Sequence, residues 1–518
     1  MEEINKNIYF NQEISTEEKS LKYKIFDYFY YILNEKNETS LFTLYFFHIF
    51  EIIQLISYAF TSQHLYTWKM PVKIFNIVSK VTAVFRLCPL LQYVPFKVFT
   101  IVFFVFAALN FIFCLILIVQ VLFGKLNSKS SNRILSIIHI TIAPLTIFFF
   151  NPISELLLIP LKCTSTVIFT NTSSIKCWKD IHYLFVVLGI INEICFFICL
   201  FFLNIFYFNP FQTKSSTIKL NTTIDIILLG TKLIYVLQLM LIKNEYISIS
   251  ILLILSFFLL YQEFVEPIYN NNVLELLLNI RNISLFWTFL MSLVSKASVS
   301  TDNGLIYLLI FGYPIIIFSF SMFFNNSKNK FNYTNSSFNN VNSCIEKTRF
   351  LIRLINSFID DNKNNLKFNE KGDQKNDILL KGFVKMHTET CLKEECPLTK
   401  FLKNEGNFNI QKQCLLNYMT IYFNNAMKKF PYCLILRLYH IKFNFIRKYN
   451  LNSVRANLED IKKMKYGINE EFIIYCIEKE IEKMKINGAN DGSEVEKEAI
   501  IIEQNYKRLK DLISKATK

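Results

Sequence analysis

His48, Glu51 and Gln54 follow one another at three-residue steps inside an apolar stretch, so on a helix they share one face. Glu193 stands beside Asn192 in another such stretch, Asp225 and Lys232 are two helical turns apart in a third, and Glu275 precedes Arg281 in a fourth. Charge in hydrocarbon is costly unless it is paired or wetted, so these faces must look inward. Two uses fit such a set. One is a polar cavity for an ion or small ligand; the other, the expected one, is interhelical pairing that locks a bundle, with Asp225, Glu155 and Glu275 reaching out at helix ends.

A second group with chemical potential is His387, Cys391 and Cys396. Imidazole and thiolate donors at such spacing suit tetrahedral zinc, and the fourth donor would come from Cys414, His440 or Cys344. The four-residue gap between the cysteines is wider than the usual two, and Pro397 can turn the chain there. The bland reading is two small core thiols and a histidine at a helix end. A structural zinc is the one cofactor these residues suggest. A third group lies at Cys163 and Cys177, which bracket Asn171-Thr172-Ser173: an oxidising compartment would let the thiols form a disulfide and Asn171 carry a glycan.

The elements that must position these residues are hydrophobic helices. Ile101 to Phe123 and Gly304 to Phe324 contain no formal charge, and about 20 apolar residues suffice to cross the hydrocarbon core. Eight crossings are expected: Ser40 to Phe60, Thr100 to Phe123, Ile134 to Ile159, Ile181 to Tyr207, Ile224 to Ile242, Ile247 to Phe264, Val273 to Val294 and Gly304 to Phe324. Pro71 to Phe96 resists, because Lys73, Lys80 and Arg86 recur through it. It is read as a re-entrant or interfacial helix, with a ninth crossing as the alternative. Ile25 to Leu33 is amphipathic and aromatic and is expected in the interface. Met1 to Lys24 has no secretory-signal pattern.

Composition agrees, with 52% hydrophobic residues and charged residues at only 19%, below the soluble norm of about 25%. The net charge of +15 accompanies abundant Lys, Asn, Ile, Phe and Tyr, a codon-like skew, so no nucleic-acid partner is inferred. Lys125, Lys129 and Arg133 in one short loop, and Lys214 and Lys219 in another, place both loops and the C-terminus in the cytosol. The expected location is a plasma or ciliary membrane rather than an organelle.

Past Phe324 the sequence becomes polar. Residues 1–39 read as a cytosolic N-terminal segment, 40–324 as the transmembrane bundle and 325–342 as a polar linker. Residues 343–486 read as a cytosolic helical-repeat module of the TPR-like kind, from apolar residues every three or four positions and tight turns at Pro431 and near Asn450. Residues 487–518 read as a charged tail helix. The fold class is therefore all-α, a polytopic bundle followed by a soluble helical module.

The stretch Phe430-Pro431-Tyr432-Cys433-Leu434-Ile435-Leu436-Arg437-Leu438-Tyr439-His440-Ile441-Lys442-Phe443 resembles the Phe-Pro-x-Ser-x-x-Leu-Arg-Ile-x-Tyr-Ala-x-Phe helix of the TmcB/TmcC-type protist membrane proteins, best known from ciliates and amoebae. Met386 to Cys391 with Cys396-Pro397-Leu398 is similar to the His-x-x-x-Cys-x-x-x-x-Cys-Pro-Leu element that precedes that helix in the same group. Longer members carry PAS modules after a TPR-like region, so the resemblance implies a receptor-like or scaffolding role in signalling.

No phosphate loop, Gly-x-Ser-x-Gly elbow or His-Glu-x-x-His motif occurs. The expectation is a non-enzymatic membrane receptor or scaffold that joins the bilayer to a cytosolic protein of unknown identity. The competing class is an ion channel or small-solute transporter using the intramembrane charges.

Overall fold

The computed structural model describes residues 21–33, 40–61, 64, 67–68, 71–87, 94–123, 137–138, 140–162, 166–170, 173–176, 178–179, 181–207, 222–265, 272–298, 304–333, 341–364, 373–391, 396–404, 407–446 and 451–491. Two compact units follow one another, Met1–Leu415 and Leu416–Lys518.

The first unit opens with α1 (Leu21–Leu33) and α2 (Leu41–Ile56), the latter extended by a 3₁₀ turn, Ser57–Phe60. Then come α3 (Val72–Arg86), α4 (Phe96–Phe123) and α5 (Ile140–Leu161). After them run α6 (Ile181–Phe206), α7 (Thr223–Leu241), α8 (Glu245–Val265), α9 (Asn272–Ala297) and α10 (Gly304–Tyr333). Seven of these helices are long and apolar enough to cross a membrane: Leu41–Phe60, Phe96–Leu122, Ile140–Leu161, Ile181–Phe206, Thr223–Leu241, Glu245–Gln262 and Val273–Ala297. The eighth expected crossing falls in α10, whose apolar stretch among the described residues is the shorter Leu308–Met322. Outward faces carry Ile254 at 65% exposure and Ile315 at 66%, more apolar surface than water tolerates and what a lipid belt requires.

α5 is irregular for a reason visible in the sequence. Pro144 has no N–H and its ring crowds the carbonyl one turn earlier, so the helix widens into a π turn over Pro144–Phe149 before returning to α geometry at Phe150–Leu158. Helix ends fix the arrangement. Leu44 of α2, Ile147 of α5, Ile224 of α7 and Leu274 of α9 cluster at one end. At the other end Trp68 is stacked on Phe60 with ring centroids 5.1 Å apart, and Ser295 of α9 donates to the Thr67 carbonyl at 2.8 Å. Helices α2, α7 and α9 therefore run the same way, and α8 returns between α7 and α9.

The segment that resisted assignment forms α3. Its 15 residues extend about 22 Å, short of a hydrocarbon core of about 30 Å, so α3 does not cross. Phe75 and Arg86 point into the bundle while Val72, Ile74, Ile77, Val81 and Val84 stay exposed, the pattern of an interfacial or half-inserted helix. Likewise α1 buries Phe26, Phe29 and Ile32, and Phe29 lies 4.8 Å from the ring of Phe206 at the end of α6.

One feature departs from an all-α fold. Thr166–Thr170 and Ser173–Lys176 pair as an antiparallel hairpin, β1 and β2, with Val167 opposite Ile175. Thr166-Val167-Ile168-Phe169-Thr170 is a β-branched and aromatic run outside any span, where strand preference meets no competing helix. Cys163, Cys177 and Asn171, the expected disulfide and glycan sites, lie outside the described residues.

Polar residues do not end α10 at Phe324, and the helix continues to Tyr333, into the stretch read as linker. The first unit goes on through α11 (Val341–Asn364), α12 (Asp373–Thr390) and α13 (Pro397–Lys403), with α11 packed on α12 and α12 on α13. The first compact unit thus includes α11 to α13. α14 (Phe408–Lys429) spans the division.

In the second unit the end of α14 is followed by α15 (Leu434–Ile446), α16 (Leu451–Lys462) and α17 (Ile468–Asp491). α15 packs on both α16 and α17 around Phe423, Leu436, Phe443, Leu458 and Ile474. Lys442 to Glu480 and Lys462 to Glu478, each at 2.5 Å, tie α17 to its neighbours. The tail beyond Asp491 lies outside the described residues.

Candidate functional site

Glu51, fully buried on α2, is the hub of an ion cluster. Its Oε1 lies 2.5 Å from Lys232 Nζ of α7, and its Oε2 lies 3.0 Å from an Arg281 guanidinium nitrogen of α9 and 3.1 Å from His48 Nδ1. One carboxylate therefore ties three helices together. Lys232 Nζ also donates to the carbonyls of Thr146 at 2.8 Å and Ile147 at 3.0 Å, so the ammonium is held by two carbonyls besides the carboxylate. Both carbonyls belong to the π turn of α5, whose altered pitch frees backbone acceptors an α-helix would engage. Arg281 Nε donates to Asn282 Oδ1 at 3.0 Å. Asp225, half-buried near the start of α7, stands within electrostatic reach of Lys232 and His48. The cluster thus sets Glu51 and Asp225 against Lys232 and Arg281.

Gln54 shares the Glu51 face but serves another partner. One turn along α2 it meets α3, and its Nε2 donates to the Phe85 carbonyl at 2.9 Å. Beside it Arg86 makes a two-pronged bond to Glu155 of α5, at 2.8 and 3.0 Å, and lies 4.9 Å from the centre of the Tyr58 ring. Glu155 is 1% exposed, so it does not reach out at a helix end as expected; the inserted end of α3 brings it a guanidinium instead. Glu193 sits apart from the Glu51 hub. Its Oε1 accepts from Ser154 at 2.8 Å, and its Oε2 has no hydrogen-bond partner among the described residues. Both polar atoms of Asn151, one turn before Ser154 and Glu155, are in the same position. Sequence reading noted Arg86 only as a cation that resists a crossing and passed over Asn151 and Ser154, although Asn151 and Glu155 sit at i and i+4 in an otherwise apolar stretch.

At the far end of the bundle a smaller network holds the turn after α2. Thr67 donates to Glu245 at 3.0 Å, Lys296 bonds the same carboxylate, and buried His64 contacts Ser248 at 3.4 Å. Burial, only partly opposed by Glu245, pushes the His64 pKa down to about 4.

His387, Cys391 and Cys396 do converge. Their donor atoms all lie within 4.8 Å of one another, with His387 Nε2 3.4 Å from Cys396 Sγ. Neither Cys344 nor Cys414 joins the group among the described residues. His440 belongs to the second unit, where Asn444 contacts its Nε2 at 3.2 Å. Within the first unit the expected fourth donors are therefore not supplied among the described residues. Burial, reinforced by Lys347, lowers the His387 pKa.

Compared with protein-family models, with curated proteins and with solved structures, the chain matches none.

Proposed function

We propose that this chain is a non-enzymatic multi-pass membrane protein of the receptor or scaffold kind, whose bundle is a fixed platform and whose later helices engage a cytosolic protein. The observation that supports it most is the Glu51 hub. An ion-conducting or solute-binding face needs charge that exchanges partners, whereas Glu51 is paired with Lys232 and Arg281 and Lys232 is further held by two backbone carbonyls. The helices from α14 onward, short and joined by tight turns, resemble the paired units of TPR-like modules, which present surfaces to protein partners.

Reconstitution into liposomes tests the platform reading. Wild-type protein and Glu51→Ala should both leave ion flux at the level of empty vesicles, and flux that depends on Glu51 would overturn it. Capture of a cytosolic protein by the full chain in nanodiscs, lost when surface residues of α15 to α17 are changed, would support the scaffold role. A channel or transporter remains the second reading, favoured by Glu193 and Asn151, whose buried unpartnered atoms suit a hydrated polar pocket.

A further inference from the structure

We propose that His387, Cys391 and Cys396 bind a borderline-soft divalent cation of the zinc class, clamping the end of α12 to the start of α13. The claim is independent of the receptor or scaffold reading. Zinc bonds of about 2.0 Å to nitrogen and 2.3 Å to sulfur put tetrahedral donors about 3.6 Å (N to S) and 3.8 Å (S to S) apart. The observed 3.4 Å between His387 Nε2 and Cys396 Sγ matches the first edge, and the 4.8 Å limit on all three donors is within a side-chain adjustment of the rest. A thiol-to-imidazole hydrogen bond explains one of these approaches. A thiol-to-thiol contact between Cys391 and Cys396 accounts for another, and the three donors still meet at one point.

The surroundings favour a bound ion over bare core packing. Cys391 leaves α12 through a backbone bond to the His387 carbonyl at 2.8 Å, which sets both residues on one helical turn. Cys396 lies just before Pro397, and Leu398 and Phe401 beyond it are buried, so α13 holds the second thiol in place. His387 and Cys396 are themselves buried and Cys391 is partly open, giving the ion a way in. Both thiols are free rather than joined to each other, as a ligand pair must be. Binding is a proton exchange in which the two thiols lose their protons to solvent as two metal–sulfur bonds form, with no redox step. Three protein donors leave one tetrahedral corner for water or another donor.

Cobalt(II) substitution reads the site directly. The full-length protein in detergent, reduced and freed of metal, should bind about one cobalt per chain with sulfur-to-cobalt charge-transfer absorption and the strong visible bands of tetrahedral cobalt, and zinc should displace it. Cys391→Ser and Cys396→Ser should each lower the charge-transfer intensity and weaken binding at least about tenfold, while Cys414→Ser leaves both unchanged. Wild-type protein that takes up no cobalt under these conditions, or that shows octahedral bands without the sulfur transition, would overturn the proposal. The wild-type spectrum decides it even if a variant fails to fold.

Discussion

At the level of single residues, Glu51 carries the sharpest consequence. Replacing it by Gln keeps its size and removes the anion between Lys232 and Arg281, and breaking a buried pair in this way costs about 3–5 kcal/mol. Glu51→Gln should therefore lower the melting temperature in detergent strongly, and Glu51→Gln with Lys232→Met should recover part of the loss; a single variant that melts with wild type would refute the hub. His64 makes a pH prediction. Its folded pKa of about 4 lies below an unfolded value of about 6.5, so the unfolded chain binds more protons between them. The stability that neutral His64 contributes is present in full above pH 6.5 and is lost as pH falls towards 4, by up to about 3 kcal/mol. Melting curves across that window should show the loss, and His64→Gln should flatten it. The three-step spacing already placed His48 and Glu51 on one face. Lys232 and Arg281 were visible as buried cations, but their meeting with Glu51 spans some 180 and 230 residues, a distance about which local spacing is silent.

Among the helices, close approach matters more than charge. A methyl group on Gly189 of α6 would come within 2.1 Å of the Leu157 carbonyl of α5, whereas one on Gly230 of α7 meets nothing within 4 Å. Small residues let membrane helices pack backbone to backbone. Gly189→Ala should therefore force α5 from α6 and reduce thermal stability clearly, while Gly230→Ala should be neutral or mildly stabilising by about 1 kcal/mol. Paired melting measurements check this; equal behaviour would show that the contact is soft. The spans were legible because length and apolarity alone define them. The π turn was not, since Pro144 announces an irregularity without saying which kind, and α3 was ambiguous because its apolar residues and its cations share one short helix.

For the whole molecule, the arrangement of helix ends predicts sidedness. Ser40 precedes α2 at one end of the bundle, and Ser298 follows α9 at the other. Single cysteines at these positions, in a background lacking native reactive thiols, should be modified by an impermeant reagent from opposite sides of sealed vesicles; labelling from one side would contradict the crossing assignment. Composition marks where the apolar spans stop, a different division from the one that packing makes. Helices α11 to α13 are polar enough for water yet bury Leu351, Phe358 and Phe383 within the first compact unit.

The balance at the Glu51 hub has one more implication. Two carboxylates set against two cations form a set with no net charge, and a neutral body displaced across a polarised bilayer does almost no electrical work. Rearrangements that carried this set along intact would be driven by contacts at the bundle's ends and would be nearly blind to voltage.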